Sequence, residues 1–146
     1  MDRFDFNYPP YHVLSGSERL TLQNVVDIAF YRDEELIIEP NTPIDFLYVV
    51  MKGVVKEVGC DGEVVAVYRA HDTFEARALV EGTSQNSFVV AEEALVYKLP
   101  KACVLHLMEG NSRFGSYFYA SVAEKLANRS ESPDEDEFES LFTAKV

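Results

Sequence analysis

The sequence predicts a mainly β domain with flanking helices, a double-stranded β-helix or jelly-roll barrel. Three observations carry that expectation. Short apolar runs rich in valine, isoleucine and leucine follow one another from about residue 29 to residue 99, with turn residues between them. One stretch with helical periodicity precedes them, and two follow.

Phe4, Phe6, Tyr8, Pro9, Pro10 and Tyr11 read as an extended aromatic segment, too rich in proline for a helix and too apolar for a free leader. They are expected to pack on the domain or on a partner. Ser17 reads as the cap of the first helix, with Glu18 in its first turn and Leu20, Val25, Ile28 and Ala29 as its apolar face. Leu36 to Ile38 is a strand closed by Glu39-Pro40-Asn41-Thr42-Pro43, and Phe46 to Met51 is a second that stops at Lys52-Gly53. Gly53 supplies a conformation that a β-carbon would resist. Val54 to Val58 resumes the strand pattern. Asp61-Gly62 then marks a hairpin into Val64 to Tyr68.

The stretch Arg69 to Val90 breaks the β pattern. Its Phe74 to Val80 part contains helix formers, and Glu81-Gly82-Thr83-Ser84 reads as a loop. A polar loop held by a rigid sheet is where a ligand is usually met. Ser87 to Ala91 and Leu95 to Leu99 are expected as two strands with Glu92 and Glu93 at the turn. Pro100 opens a helix whose buried face is Cys103, Val104, Leu107 and Met108, and Gly110 fits just past its end. Asn111 caps a last helix striped with Phe114, Phe118, Val122 and Leu126, with Tyr117 and Ser121 alongside. That stripe either packs on its own sheet or forms a dimer contact through Phe114, Tyr117, Phe118, Ser121 and Val122.

Composition excludes several functions. The chain of 146 residues, 47% hydrophobic, is long enough for one domain with a real core. Its net charge is −12, of which residues 131–146 carry −5, so the remainder at −7 still repels nucleic acid and anionic membrane. No apolar run is long enough to span a bilayer and no signal peptide precedes Phe4, which reads as a cytoplasmic protein. Cys60 and Cys103 have no metal-ligand spacing and read as buried, reduced thiols. His71 and Asp72 with Glu75 lack the paired histidines of a cupin-like metal site, so no metal and no obligatory cofactor are expected. No spacing implies a catalytic triad, and the domain is read as non-enzymatic.

The segments Phe46-Leu-Tyr-Val-Val-Met-Lys-Gly53, Asp61-Gly-Glu63 and Ala70-His-Asp-Thr-Phe74 resemble the cyclic nucleotide-binding domain shared by the catabolite activator protein and cyclic-nucleotide-dependent kinases. The resemblance spans residues 13 to 130, and the body 1–130 is read as that domain. Pro9-Pro10, Phe74-Glu-Ala-Arg-Ala-Leu-Val80, Val89-Val-Ala-Glu-Glu93 and Val96-Tyr-Lys-Leu-Pro100 are similar to bacterial signal-transduction proteins that join this domain to CBS domains and a nucleotidyltransferase-like region. In those proteins a segment like Leu141 to Val146 leads into the CBS pair. Residues 131–146 are thus expected to form an acidic linker to a further domain, the alternative being an ordinary frayed terminus.

The resemblance also implies a site. In the family a short helix begins Gly-Glu, where glycine lets the backbone approach the cyclic phosphate and glutamate accepts from the ribose. An arginine before a small hydroxyl residue grips the phosphate. Those positions fall here on Glu75, Ala76 and Asn86, followed by Ser87. The candidate pocket is accordingly Phe74, Glu75, Ala76, Arg77, Ala78, Asn86, Ser87 and Phe88, with a cyclic nucleotide as the regulatory ligand in view. Arg77 either supplies the missing cation or pairs with Glu75 or Glu81 on the surface. Three readings follow: a sensor of a small ligand, a lapsed pocket kept for dimer or interdomain contact, and an enzyme, the last resting on barrel architecture alone.

Overall fold

The computed structural model describes residues 4–74 and 82–130, with the backbone alone for residues 121, 122 and 124–130. The expected short helix after Phe74 and the acidic segment 131–146 lie outside the described residues.

Helix α1 (Gly16–Val25) is followed by strands β1 (Asp27–Tyr31), β2 (Leu36–Ile38), β3 (Phe46–Val58), β4 (Val64–Tyr68), β5 (Thr73–Phe74) and β6 (Ser87–Pro100), then by α2 (Lys101–Gly110) and α3 (Ser112–Ser130). All pairings are antiparallel, in the order β1-β6-β3-β4, with β2 added to β6 and β5 to β3. This is the predicted jelly-roll class with flanking helices.

The two long strands organise the rest. β3 and β6 pair from Phe46 opposite Pro100 to Val58 opposite Ser87. Successive side chains of a strand point to opposite faces, and here both faces are buried. Leu47 and Val49 meet Tyr97, Leu99 and the helices in one core, while Tyr48 and Val50 meet Val96, Phe74 and Phe88 in the other. That double burial explains why Phe46 to Met51 is almost wholly apolar.

Two expected breaks are bends instead. Glu92 and Glu93 do not end a strand: β6 runs on through them, because β3 bends with it at Gly53 and the register shifts between Val50 and Val55. Gly53 has φ +96° and lies against the backbone of Glu93 and Ala94, so it serves both a left-handed conformation and a close approach. Around Gly62, with φ +87°, the hairpin between β3 and β4 forms as Asp61-Gly62 predicts. Cys60 sits in that turn and is exposed, not buried in a strand, since the strand ends at Val58. Cys103 is partly buried, and burial raises its thiol pKa.

The cap of α1 is Ser15, not Ser17. Ser15 Oγ accepts from the amide of Glu18 at 3.2 Å and the Glu18 carboxylate accepts from the Ser15 amide at 2.8 Å, a reciprocal pair that needs the acid three residues after the hydroxyl. The buried face is Leu22, whereas Leu20 and Val25 are exposed and Ile28 and Ala29 belong to β1. These amide bonds, with one from Asn111, hold the Glu18 carboxyl below its ordinary pKa. Their stabilisation is therefore present above the usual carboxylate range and is lost as pH falls through the lowered value. Ser15→Ala is expected to cost about 1 kcal/mol, read as a lowered urea midpoint with an unchanged slope.

The N-terminal segment packs on its own domain. Phe4 and Tyr11 are buried, and a 3-10 turn spans Tyr11–Val13. In α2, Val104 and Leu107 are buried while Cys103 and Met108 are partly so. Asn111 caps α3 as expected, accepting from the Phe114 amide at 3.0 Å. Phe114 and Phe118 are 0% and 1% exposed, against Tyr11 and each other, so these two belong to the domain's own core and not to a dimer face. Tyr117 is exposed; the side chains of Ser121 and Val122 lie outside the described residues.

Candidate functional site

The expected pocket is assembled from β5, the end of the loop before β6 and the start of β6. Of its residues, Phe74, Asn86, Ser87 and Phe88 are described, whereas Glu75, Ala76, Arg77 and Ala78 lie outside the described residues, so either role for Arg77 stands as an expectation. Phe74 is in β5, paired with Tyr48, and not at the start of a helix. The apolar pattern of Tyr48 and Val50 draws it into the sheet.

Phe74 and Phe88 stack with centroids 5.2 Å apart, Tyr48 stacks on Phe74 at 5.1 Å, and the Tyr68 ring tilts onto both. Both phenylalanines are fully buried. They form the wall beneath the site and offer no surface to a ligand, a change from their expected role as lining residues. Burial, reinforced by Tyr31 and Asp45, pushes the Tyr48 phenol up to about 12.

The polar centre is one that sequence reasoning passed over. Glu57 is fully buried, its Oε1 accepting from the Tyr68 hydroxyl at 2.8 Å and its Oε2 accepting from Asn86 Nδ2 at 2.6 Å. A carboxylate survives burial only where donors meet it. The signal was available: counting by two along β3 from buried Val55 puts Glu57 on the same inward face. Lys56-Glu57 instead reads as a charged pair on solvent.

The loop that presents Asn86 is tied at several points. Ser84, fully buried, donates from Oγ to the Asn86 carbonyl at 2.9 Å and accepts from the Asn86 amide at 3.2 Å. Its own carbonyl accepts from the Asn41 amide at 2.7 Å, and the Gly82 carbonyl from Ile44 at 2.9 Å. Thr83 bridges to Pro43. Asn86 is therefore a fixed group whose side-chain amide is aimed at Glu57. Asn86→Ala leaves a buried carboxylate short of a donor, so a loss of about 1–3 kcal/mol is expected by chemical denaturation; an unchanged midpoint would contradict the assignment.

His71 has φ +77° and stacks on Tyr8 at 3.6 Å. Among the described residues no group of three histidine, cysteine or acidic side chains is placed to hold a metal ion. Nor, among them, is any helix long and apolar enough to cross a membrane.

Residues 28–111, more than half of the chain, match the family described as Cyclic nucleotide-binding domain. The chain belongs to that family. Among curated proteins, none matches it by sequence. Solved structures share the fold. The sensor domain of the transcriptional regulator DNR from Pseudomonas aeruginosa superposes with a TM-score of 0.75 at 13% identity, covering 87% of this chain and 94% of that one. A putative cyclic nucleotide-binding protein from Geobacter metallireducens GS-15 gives 0.71 at 16% identity, over 84% of this chain and 92% of that chain. The regulatory subunit of a cAMP-independent protein kinase A from Trypanosoma brucei gives 0.61 at 18% identity, over 87% and 43%. In this cyclic nucleotide-binding domain the position expected to grip a phosphate is thus occupied by an uncharged amide that a buried carboxylate already engages.

Proposed function

We propose that this domain is a non-enzymatic regulatory module whose site has turned away from the usual cyclic nucleotide contact. The observation that carries the reading is the 2.6 Å hydrogen bond from Asn86 to buried Glu57. An arginine at this position would meet a phosphate with a charge-assisted pair worth about 1.5–3 kcal/mol. Asn86 offers no charge, and its amide must leave Glu57 before it can donate to a ligand. Glu57 also places a carboxylate behind the position where the phosphate would sit, which disfavours an anion there. Affinity for a cyclic nucleotide is expected to fall by roughly a hundredfold or more.

The module's parent is proposed to be a cytoplasmic signal-transduction protein with CBS and nucleotidyltransferase-like regions after residue 131, on the resemblance given above. A contact between copies or domains through α3 is the second reading. It is favoured by Tyr117 and Tyr119, 42% and 51% exposed on a helix whose phenylalanines face inward. Thermal unfolding with cyclic AMP and cyclic GMP tests the first reading. No rise in midpoint at micromolar nucleotide is expected; a rise that saturates below micromolar concentration would contradict it.

A further inference from the structure

A second cavity, of about 290 Å³, lies on the other face of the sheet, beneath the N-terminal segment. Its walls include Phe4, Tyr8, Tyr11 and Tyr97, with the Met51 thioether and the Asp5 carboxylate. It shares no lining residue with the Glu57 and Asn86 site. The volume is at the low end of ligand pockets, about 300 Å³ and upward, so the occupant is small.

The chemistry of the walls narrows the occupant further. Phe4 meets Tyr11 and Tyr97 edge to face, at 85° and 69°, so ring faces and edges turn in several directions around one space. Asp5 supplies an acid, and no lysine or arginine lines the cavity. Aromatic rings with an acid beside them attract an organic cation and give an anion nothing to bind. The chain's charge of −12 acts in the same direction. We infer that this cavity is a ligand site for a small aryl-ammonium compound.

The surroundings suit a site that is entered and read. Tyr8 is 41% exposed and closes one side by stacking on His71, while the His71 amide donates to the Val50 carbonyl at 2.8 Å and keeps that wall fixed. Tyr11 touches the cavity with its ring, pairs its hydroxyl with Thr73 Oγ1 at 2.9 Å and packs on Phe114 and Phe118. Burial raises its phenol, which stays protonated for that bond. An occupant would therefore press on a residue that joins β5 to α3.

Phenethylammonium, phenethyl alcohol and phenylacetate, matched in shape and differing in charge, form the test, read as amide NMR shifts in the whole chain. Saturable shifts at Asp5, Tyr8, Met51 and His71 are expected with phenethylammonium, weaker ones with the alcohol and none with phenylacetate. Asp5→Asn, at a partly exposed position and so without risk to folding, should weaken the ammonium about five- to tenfold. Equal binding of all three compounds, indifference to Asp5→Asn, or no shift up to millimolar ammonium would overturn the inference. The outcome does not depend on how the Asn86 site behaves, whose amide should not shift.

Discussion

Gly53→Ala is expected to destabilise the domain by about 2–5 kcal/mol, the sum of a left-handed backbone and an overpacked contact. At φ +96° a side chain is already strained. An added Cβ would also run into the carbonyl oxygen of Glu93 and lie 2.6 Å from the Cα of Ala94. Those are backbone atoms of β6 and cannot swing aside as a side-chain tip would. Relief requires the two long strands to part at their common bend, where the register between Val50 and Val55 is already shifted. Because β3 and β6 contribute to both cores, the loss should appear as one cooperative transition at lower denaturant. Gly62→Ala provides the comparison: φ is +87° but nothing stands near the added carbon, so only the conformational part is expected, about 1 kcal/mol.

Phe118→Ala should cost about 3–5 kcal/mol, the range for emptying a buried aromatic site. Its ring is 1% exposed and lies 5.7 Å from that of Phe114 and 6.4 Å from that of Tyr11. The loss should loosen α3 and the N-terminal segment together, since Tyr11 packs on both phenylalanines. Tyr117→Ala, one residue away on the exposed side, is expected to change stability by about 0.5 kcal/mol or less. Equal effects at the two positions in urea melts would show that the helix faces are assigned wrongly. For the same reason, a charge at Phe118 tests the core and not association, and a solution test of dimerisation belongs at Tyr117 or Tyr119.

What could be read from the sequence was mostly local. Asp61-Gly62 and Gly53 announce backbone needs that hold wherever the chain goes, and both appear as expected. Asn111 likewise caps α3 through its own neighbours. The errors arise where a distant partner decides. Glu92 and Glu93 look like a turn until Gly53 of another strand lets the sheet bend through them. Phe74 has helix-forming neighbours, yet Tyr48 across the sheet claims it for β5. Ser17 and Ser15 are both good caps, and the position of Glu18 decides for Ser15.

The site shows the same division. The resemblance located Asn86 and marked it as uncharged, but what Asn86 does instead depends on Glu57, 29 residues earlier and on a different strand. Glu57 in turn depends on Tyr68 across the hairpin. No window of sequence contains all three.

The loss of the phosphate contact is best measured by calorimetric titration of the intact chain with cyclic AMP and, in parallel, with adenosine, which lacks the phosphate. With Asn86 held by Glu57, the two should bind equally weakly, the phosphate adding no affinity. Cyclic AMP binding tightly, and a hundredfold or more above adenosine, would mean that the site still grips the phosphate.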